Sequence, residues 1–447
     1  MAYLHMELSL HASAKHSGEP SGDVVELRRK PDFSWLVLAD GLGHGVRAHV
    51  AATLHLSRLL GLLEREFSFR EAFLTVASGI HAQRGQDLPF ATLLAARVRS
   101  DGELTVLSYD APEPIFVGRH AAMVLPGRAF SSGAALVQES NGFLAAGEGL
   151  LLLSDGVTQA GLGRGLVRGW TAEGVARELS DALSEGMKVA DAARRVHEQA
   201  RKLWSMSKRP ARLSSSGGPD RLHSFALGHR PLDSGKSFGL SRECVPFAHF
   251  PLPAPWSAQG SGELRATRQP SQLGDDVTAA LLYARPGRTL TILTGPPSSR
   301  QDDSALVHRF LEKSGMKVVC GASTAQMVAR FLGTTLRVEQ GGASAIAPPR
   351  YYLEGIELVT EGAVTLNQVY NILDEAPERF EPDSPVSELA LALLEADRVD
   401  FLGGRAPNLG ANDIAFQQQG ILPRSKIVPL LEEALQRRQK LVTCVWC

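Results

Sequence analysis

The chain has 447 residues, more than one hydrophobic core usually organises, and this length favours two or three domains, of which we expect two. The 44% hydrophobic and 21% charged residues are typical of a globular protein, and 47 basic against 48 acidic residues argue against binding to nucleic acid or to an anionic membrane. Four cysteines are too few for a disulfide scaffold, and no segment resembles a secretion signal or a membrane span. We therefore expect a cytoplasmic protein.

The first strong pattern is an apolar run at residues 35–39, which predicts a buried strand that ends on Asp40-Gly41. The glycine-rich residues 42–45 then open a helical pattern. Its apolar positions, which would share one helical face, are Val46, Val50 and Leu54. A second helix beside it is predicted by the spacing of Phe69, Phe73, Val76 and Ile80.

Residues 90–125 contain short apolar runs separated by turn residues, which predicts consecutive hairpins of an antiparallel sheet. A further strand at residues 149–154 stops at Asp155-Gly156, and helical segments follow to about residue 204. The pair Asp275-Asp276 precedes a last strand at residues 277–283. We expect this first domain to span residues 1–285, with a flexible insert at 205–272 that is rich in Ser, Pro, Gly and Arg.

Residues 286–447 change to an alternation of strands and helices, which predicts a second, α/β domain with a mostly parallel sheet. The predicted strands are 290–293, 317–319, 356–360, 399–402 and 441–446. The predicted helices are 305–313, 324–332, 366–373, 386–396 and 427–438.

Aspartates at strand ends or in adjoining turns are the chemically informative feature of the first domain. They are Asp23, Asp40, Asp155, Asp275 and Asp276. A carboxylate at the end of a buried strand needs a cation, hydrogen bonds or water, because an unpaired buried charge is costly. Ligands made only of oxygen favour Mg²⁺ or Mn²⁺ over zinc. Two such ions about 3.5 to 4 Å apart can activate a water to attack phosphorus.

The order of these motifs resembles the metal-dependent (protein phosphatase 2C-like) serine/threonine phosphatase family, in its SpoIIE-type bacterial branch. The matching segments are Ser21-Gly22-Asp23, residues 39–45 with Ala48, Ser154-Asp155-Gly156-Val157-Thr158, and Asp275-Asp276-Val277-Thr278. The resemblance implies an α+β fold in which two antiparallel sheets form an α-β-β-α sandwich. It also implies two divalent metal ions, and the metal-binding set Asp23, Asp40, Gly41, Asp155, Asp275 and Asp276.

By this resemblance, Asp40 would bridge both metals and have a catalytic role together with Asp155 and Asp275. The carbonyl of Gly41 and the carboxylate of Asp23 would complete the second metal site, and Asp155 and Asp275 would hold the first metal. The remaining member of the set, next to Asp275, would act through water or orient its neighbour.

The resemblance implies hydrolysis of phosphoserine or phosphothreonine on a bacterial regulatory protein, for which an anti-sigma factor antagonist is a plausible partner. Attack by an activated water would need no phosphoenzyme intermediate. The alternative is a phosphatase-like binding module with little turnover. His44 could be a catalytic acid, an orienting loop residue or simply an exposed side chain.

Two nucleotide-binding patterns are excluded by their spacing. The Gly-rich residues 41–45 place Val46 where a dinucleotide-binding fingerprint needs its third glycine. Residues 234–237 imitate the end of a phosphate-binding loop, but Arg230 stands where the first glycine belongs.

The second domain offers two further hypotheses. Three turns of small and hydroxyl residues, at 294–297, 321–324 and 360–362, follow predicted strands at the sheet edge where α/β folds commonly bind ligands. They predict a small-ligand site that tunes the first domain, against the alternative of a structural or dimerising domain. Cys444 and Cys447 have the spacing of a redox or metal-binding pair, but on a terminal strand they lack the helix start that lowers a thiol pKa.

Overall fold

A computed structural model of the protein describes residues 3–84, 90–206, 274–339, 350–406 and 420–447. Nearly all of the predicted insert, residues 205–272, therefore lies outside the described residues. The domain boundary at residue 285 stays a prediction, although the two parts of the chain on either side of it contribute to different sheets.

The first part of the chain alternates between strands and helices. Its described elements, in chain order, are β1 (Leu4–Ser13), β2 (Asp23–Arg29), β3 (Phe33–Gly41), α1 (Gly45–Glu64), α2 (Phe69–Ala82), β4 (Ala91–Arg99), β5 (Glu103–Tyr109), β6 (Ile115–Val117), β7 (Ala122–Val124), β8 (Gly127–Ser132), β9 (Ala135–Phe143), β10 (Gly149–Leu153), α3 (Asp155–Thr158), α4 (Ala172–Ser184), α5 (Ala192–Ser205) and β11 (Val277–Pro286).

Two antiparallel sheets stack on each other in this part. Within the described residues one sheet has the order β2-β3-β4-β5-β9-β8 and the other β1-β11-β10-β6-β7. Because side chains alternate between the faces of a strand, Leu36 and Leu38 of β3 share an inner core with Leu152 of β10. Val37 instead packs under α1 and α2, and Leu151 packs under α4 and α5. The layers are therefore helix, sheet, sheet, helix, which confirms the predicted sandwich.

The helix α1 does not pack through the face that carries Val46, Val50 and Leu54. Val46, Val50 and Leu54 are 66%, 52% and 52% exposed. The buried face carries Ala48, Ala51, Ala52 and the leucines near the end of the helix. Small side chains at the start of the helix let its backbone approach the end of β3 closely, whereas the larger Val46 and Val50 point away.

The second part of the chain builds one mixed sheet. Its described elements are β12 (Thr289–Thr294), α6 (Asp303–Glu312), β13 (Met316–Cys320), α7 (Ala322–Leu332), β14 (Arg337–Glu339), β15 (Arg350–Tyr352), β16 (Leu358–Thr360), α8 (Ala363–Ile372), α9 (Pro385–Glu395), β17 (Arg398–Gly403), α10 (Arg424–Arg437) and β18 (Leu441–Trp446).

The strand order of this sheet is β14-β15-β16-β13-β12-β17-β18. The neighbouring strands β16, β13, β12, β17 and β18 pair in parallel. At one edge of the sheet, β14 pairs antiparallel with β15, and β15 pairs antiparallel with β16. Hydrophobic clusters lie on both faces, one under α8, α9 and α10 and the other under α6 and α7. The prediction of a mostly parallel sheet is confirmed. No helix in the described ranges combines the length and the hydropathy that a membrane span requires.

A buried carboxylate joins the two parts of the chain. The Arg285 guanidinium, at the end of β11, donates two hydrogen bonds to Asp397, of 2.7 and 2.8 Å. The backbone N–H of Arg288 donates a third, of 2.8 Å, and the ring of His5 lies 3.7 Å away. Burial would raise the pKa of Asp397, but these donors and the arginine charge together lower it. Asp397 therefore fastens the linker between β11 and β12 to the start of β17.

We predict that Asp397→Asn lowers the free energy of unfolding by about 1–3 kcal/mol, because the substitution leaves buried donors with poorer acceptors. Urea unfolding of the whole chain measures the change. The matched control is Asp374→Asn, whose carboxylate also accepts from an arginine at 2.7 Å but is 92% exposed, and which we expect to change stability little. Equal effects of the two substitutions would contradict the role given to Asp397.

Two buried histidines should make the fold sensitive to acid. Burial is the largest cause that lowers the pKa of both His5 and His197 to about 4. In the unfolded chain the same groups titrate near the ordinary value of about 6.5. Between these values the unfolded state binds protons that the folded state does not, so the stability present at neutral pH is lost as the pH falls from 6.5 towards 4.

We predict that His197→Gln reduces this loss, measured as the difference in urea stability between about pH 7.5 and about pH 5. Its ring accepts or donates one bond to Ser13, 2.9 Å away, so glutamine retains a polar partner. His308→Gln, on the exposed face of α6, is the control and should leave the pH dependence as it is. An unchanged profile for His197→Gln would contradict the prediction.

Candidate metal centre

Antiparallel pairing of β2 and β3 brings the first two predicted ligands side by side. Asp23 is the first residue of β2 and lies directly opposite Asp40 in the register of the two strands. Gly41 is the last residue of β3, and its N–H donates to the carbonyl of Gly22 at 3.1 Å. A one-residue shift would turn one of these carboxylates to the other face of the sheet, so the register itself determines the pair.

The other predicted residues come from the second sheet. Asp155 follows β10 and begins α3, and Asp275 and Asp276 precede β11. Because β10 and β11 are antiparallel neighbours, the end of one meets the start of the other, and the Ser154 N–H donates to the Thr278 carbonyl at 3.1 Å. All three carboxylates therefore lie at the same end of the second sheet.

Asp276 connects this end to the loop between β1 and β2. One of its oxygens accepts from the N–H of Gly22 at 2.6 Å and the other from the N–H of Lys15 at 2.5 Å. Its own N–H donates to Asp275 at 2.9 Å. Asp276 is only 4% exposed, and its hydrogen bonds favour the orienting role over direct ligation. Its place in the metal shell stays a prediction.

Asp23 is the aspartate that most strongly indicates a bound cation, because its carboxylate is buried and accepts no hydrogen bond from the described residues. It is 8% exposed, and within the described residues neither of its carboxylate oxygens has a partner. The hydroxyls of Thr278 and Ser154 lie near enough to favour its ionised form, but they do not meet hydrogen-bond geometry. Burial is the main cause that raises the pKa of Asp23, and the charges of Asp276 and Asp155 raise it further.

The neighbouring carboxylates repel one another. Burial raises the pKa of Asp40 well above its ordinary value, and the charges of Asp23, Asp155 and Asp275 add to the effect. Burial likewise raises the pKa of Asp155, although Gln159 donates to it at 2.8 Å, and that of Asp275. Oxygen ligands that are buried or half-buried and repel one another suit a hard divalent cation, which would offset both the loss of solvent and the repulsion. The residues present therefore fit the implied metal.

The carboxylates are nevertheless spaced more widely than the ligands of one ion. Among the described residues, the three side chains whose ligand atoms all lie within 4.8 Å of one another are His16, Glu19 and His44. No three of the predicted aspartates meet that limit. They form an open arc around the ends of β3, β10 and β11, which is wider than a single coordination shell.

Glycines permit the close backbone contacts on which this arc depends. A Cβ at Gly41 would lie 2.0 Å from the carbonyl oxygen of Ala48 in α1, and one at Gly156 would lie 1.8 Å from the carbonyl oxygen of Asp276. The Gly156 carbonyl in turn accepts from the Trp204 indole at 2.8 Å. Gly41 after Asp40 and Gly156 after Asp155 are therefore needed for close backbone packing as well as for the turn.

Several residues that contact the carboxylates were not singled out from the sequence. The backbone N–H groups of Lys15 and Gly22 carry no side-chain signal, so only the fold could identify them. Gln159 stands four residues after Asp155, the spacing of side-chain partners on a helix, and could have been found from that spacing. Ser154 was part of a quoted motif without a role, and its hydroxyl accepts from the Thr278 N–H at 2.9 Å.

Comparison with known proteins supports the resemblance drawn from the motifs. Residues 31–211 match the family model for Stage II sporulation protein E (SpoIIE). This segment is a SpoIIE-family domain. It contains Asp40, Gly41 and Asp155, while Asp23 lies before it and Asp275 after it. No curated protein gives a significant match.

Solved structures similar to this chain include two of SpoIIE and one of RsbU and RsbW domains. The phosphatase domain of SpoIIE from Bacillus subtilis has 16% identity over 64% of this chain and 94% of that chain, with a TM-score of 0.39. The RsbU and RsbW domains of a Mycobacterium tuberculosis protein have 15% identity over 64% and 62%, with a TM-score of 0.40. A longer Bacillus subtilis SpoIIE fragment has 15% identity over 64% of each chain, with a TM-score of 0.42.

The predicted ligand turns of the second part converge at one sheet edge. They follow β12, β13 and β16, which are neighbours in the sheet, and the Gly295 N–H donates to Thr324 at 2.9 Å. Two cavities, of about 440 and 500 Å³, open instead near the other ends of β12 and β13, lined by residues such as Thr289 and Ser314. A small ligand at the predicted edge stays a prediction.

The cysteines offer little support for thiol chemistry. Burial raises the pKa of Cys320 to about 12. Burial and the nearby Glu432 raise that of Cys444, so this thiol is a poor source of thiolate at neutral pH. Cys447 is exposed, and Cys244 lies outside the described residues.

We predict that Gly156→Ala lowers the stability of the chain by about 1–3 kcal/mol or more and weakens Mn²⁺ binding, because the added methyl group forces β11 away from α3. Urea unfolding and manganese titration of the same preparation measure both effects. Gly61→Ala is the matched control, since its Cβ would meet no atom within 4 Å and alanine should stabilise α1 by about 0.5–1 kcal/mol. Unchanged manganese affinity in Gly156→Ala would contradict the packing argument.

Proposed function

We propose that the chain is a metal-dependent serine/threonine protein phosphatase. The observation that carries the proposal is the arc of four carboxylates at one end of the two stacked sheets of a SpoIIE-family domain. Asp23 is buried, the other three are half-buried, and burial together with neighbouring charges raises the pKa of each. Such an arrangement costs free energy unless cations bind to it, so it is better explained by a metal-dependent reaction than by the fold alone.

The proposed metal ligands are the carboxylates of Asp23, Asp40, Asp155 and Asp275 together with the carbonyl of Gly41. Two Mn²⁺ or Mg²⁺ ions held there would neutralise phosphate charge and lower the pKa of a bound water, which is the chemistry of two-metal hydrolysis. Asp40 is the bridging candidate because it pairs with Asp23 in the register of β2 and β3 and also lies within electrostatic reach of Asp155 and Asp275.

The surrounding groups of the chain hold these carboxylates in position. Gln159 donates a hydrogen bond of 2.8 Å to one oxygen of Asp155 and so orients this carboxylate. Asp276 accepts hydrogen bonds from two backbone N–H groups of the β1–β2 loop. These bonds hold the start of β2, where Asp23 lies, close to Asp275. These contacts pre-organise the ligands, so that less ordering is needed when metal and substrate bind.

The proposed substrate is phosphoserine or phosphothreonine on a bacterial regulatory protein. This substrate class follows from the SpoIIE-type resemblance, and an anti-sigma factor antagonist remains the partner proposed. We also propose that the second part of the chain regulates the first, because Asp397 and Arg285 tie its sheet to the strand that follows Asp275 and Asp276.

We predict that Asp40→Asn lowers manganese-dependent hydrolysis of p-nitrophenyl phosphate at least about 100-fold, equivalent to about 2.7 kcal/mol of transition-state stabilisation. The amide removes the charge between the two proposed ion positions while keeping the size of the side chain. Asp181→Asn, on the exposed face of α4, is the control and should retain full activity.

The same assay separates the enzyme from the alternative of a binding module. Activity of the unmodified chain that disappears in Asp40→Asn supports the phosphatase. A chain that binds phosphopeptide with no turnover under saturating manganese would favour the binding module. Activity that survives in Asp40→Asn would overturn the assignment of Asp40.

A further inference from the structure

A second group of potential metal ligands lies outside the arc of aspartates. His16, Glu19 and His44 place one ligand atom each within 4.8 Å of the other two. The Nδ1 of His44 lies 3.3 Å from Glu19 Oε2, and the two histidine rings meet edge to face with centroids 4.9 Å apart. Nothing in the resemblance assigns a metal to these three residues.

The local fold explains why they meet. His16 and Glu19 lie in the β1–β2 loop, where the Glu19 N–H donates to the His16 carbonyl in a turn, at 3.3 Å. His44 is the residue before α1, and its side chain makes no capping bond to that helix. The Glu19 carboxylate lies over Gly45, where a Cβ would come within 2.9 Å of it. Gly45 also has a φ of +70°, a left-handed backbone conformation that favours glycine at the start of the helix.

The donor set differs in kind from the aspartates. Two imidazoles and one carboxylate suit zinc and related transition metals, and the same set with one open position occurs in catalytic zinc sites. Two nitrogens on one zinc ion lie at most about 4.1 Å apart, twice the usual Zn–N distance of about 2.0–2.1 Å. The three ligand atoms already lie within 4.8 Å of one another, and the side chains of His44 and Glu19 are about half exposed, so small rotations would bring the two nitrogens within that limit.

We propose that His16, Glu19 and His44 form a site for a zinc-class transition metal, with water as the fourth ligand. The ion would join the β1–β2 loop to the start of α1. Lys15, the neighbour of His16, donates its N–H to Asp276, so the same loop would be held at two points. The proposal concerns metal binding at this surface and holds whether or not the aspartates catalyse phosphate hydrolysis.

Cobalt titration of the full-length, metal-stripped chain tests the site. Excess Mg²⁺ occupies oxygen-only sites, and Co²⁺ in a four-coordinate site with two imidazoles absorbs visible light far more strongly than Co²⁺ in a six-coordinate oxygen site. We expect one equivalent of strongly absorbing Co²⁺, displaced by Zn²⁺. His16→Gln, Glu19→Gln and His44→Gln should each weaken it at least about tenfold, or about 1.4 kcal/mol.

Two further variants make the result specific. His308→Gln removes an exposed histidine that also faces a glutamate, and it should bind Co²⁺ as the unmodified chain does. Asp40→Asn should keep the strong absorption as well, which would locate the ion away from the aspartates. Circular dichroism and the urea midpoint of each variant confirm that it is folded.

The opposite outcomes overturn the proposal. If the unmodified chain gives no strong absorption, His44 and Glu19 form an ordinary surface ion pair. If the absorption persists at full affinity in both His16→Gln and His44→Gln, the ion binds elsewhere. Loss of the absorption in Asp40→Asn alone would assign it to the aspartates.

Discussion

Mutual repulsion among carboxylates that are buried or half-buried is the constraint on which the rest of this structure depends. Asp23 and Asp40 come from one sheet, and Asp155 and Asp275 come from the other. Burial and the neighbouring charges raise the pKa of each, so a chain without a cation holds them at a cost in free energy. Folding energy from the stacked sheets must exceed that cost, because the apolar core and the carboxylates belong to the same strands.

The scaffold limits the cost by fixing the backbone closely around the site. Gly41 and Gly156 allow a helix and a strand end to approach within distances that a side chain would prevent. Both carboxylate oxygens of Asp276 accept hydrogen bonds from backbone N–H groups of the β1–β2 loop. Because Asp276 precedes β11 of the other sheet, these bonds connect the segment before Asp23 to that sheet. Asp276, which holds the loop through hydrogen bonds, and Asp275, a proposed metal ligand, are therefore neighbours in the chain with different roles.

The second part of the chain is connected to this scaffold through another buried carboxylate. Asp397 accepts from Arg285 and Arg288 at the linker that follows β11, the strand that begins beside Asp276. A movement of β17 relative to β12 would therefore act on the same strand that carries the aspartate pair at its far end. This continuity is the physical basis for proposing that the mixed sheet regulates the first part of the chain.

The sequence by itself indicated the antiparallel strands and helices of the first part, and its motifs, through the family they resemble, predicted the layers and most of the proposed ligands. Continuous apolar runs in β3 and β10 predicted buried strands, and aspartates at strand ends marked the proposed metal centre, because a charge in such a position needs a partner. The alternation of strands and helices after residue 286 predicted the mostly parallel sheet. These patterns involve residues that are close together in the sequence, so they can be recognised without the structure.

Tertiary structure decided what depends on contacts between distant segments. The sequence could not show that α1 turns Val46, Val50 and Leu54 to solvent, since periodicity does not say which of two apolar faces is small enough to pack. It could not show that Asp276 orients the β1–β2 loop, because its partners are backbone N–H groups without any side-chain signature. His16, Glu19 and His44 have no motif spacing, and only the close approach of that loop to the start of α1 brings them together.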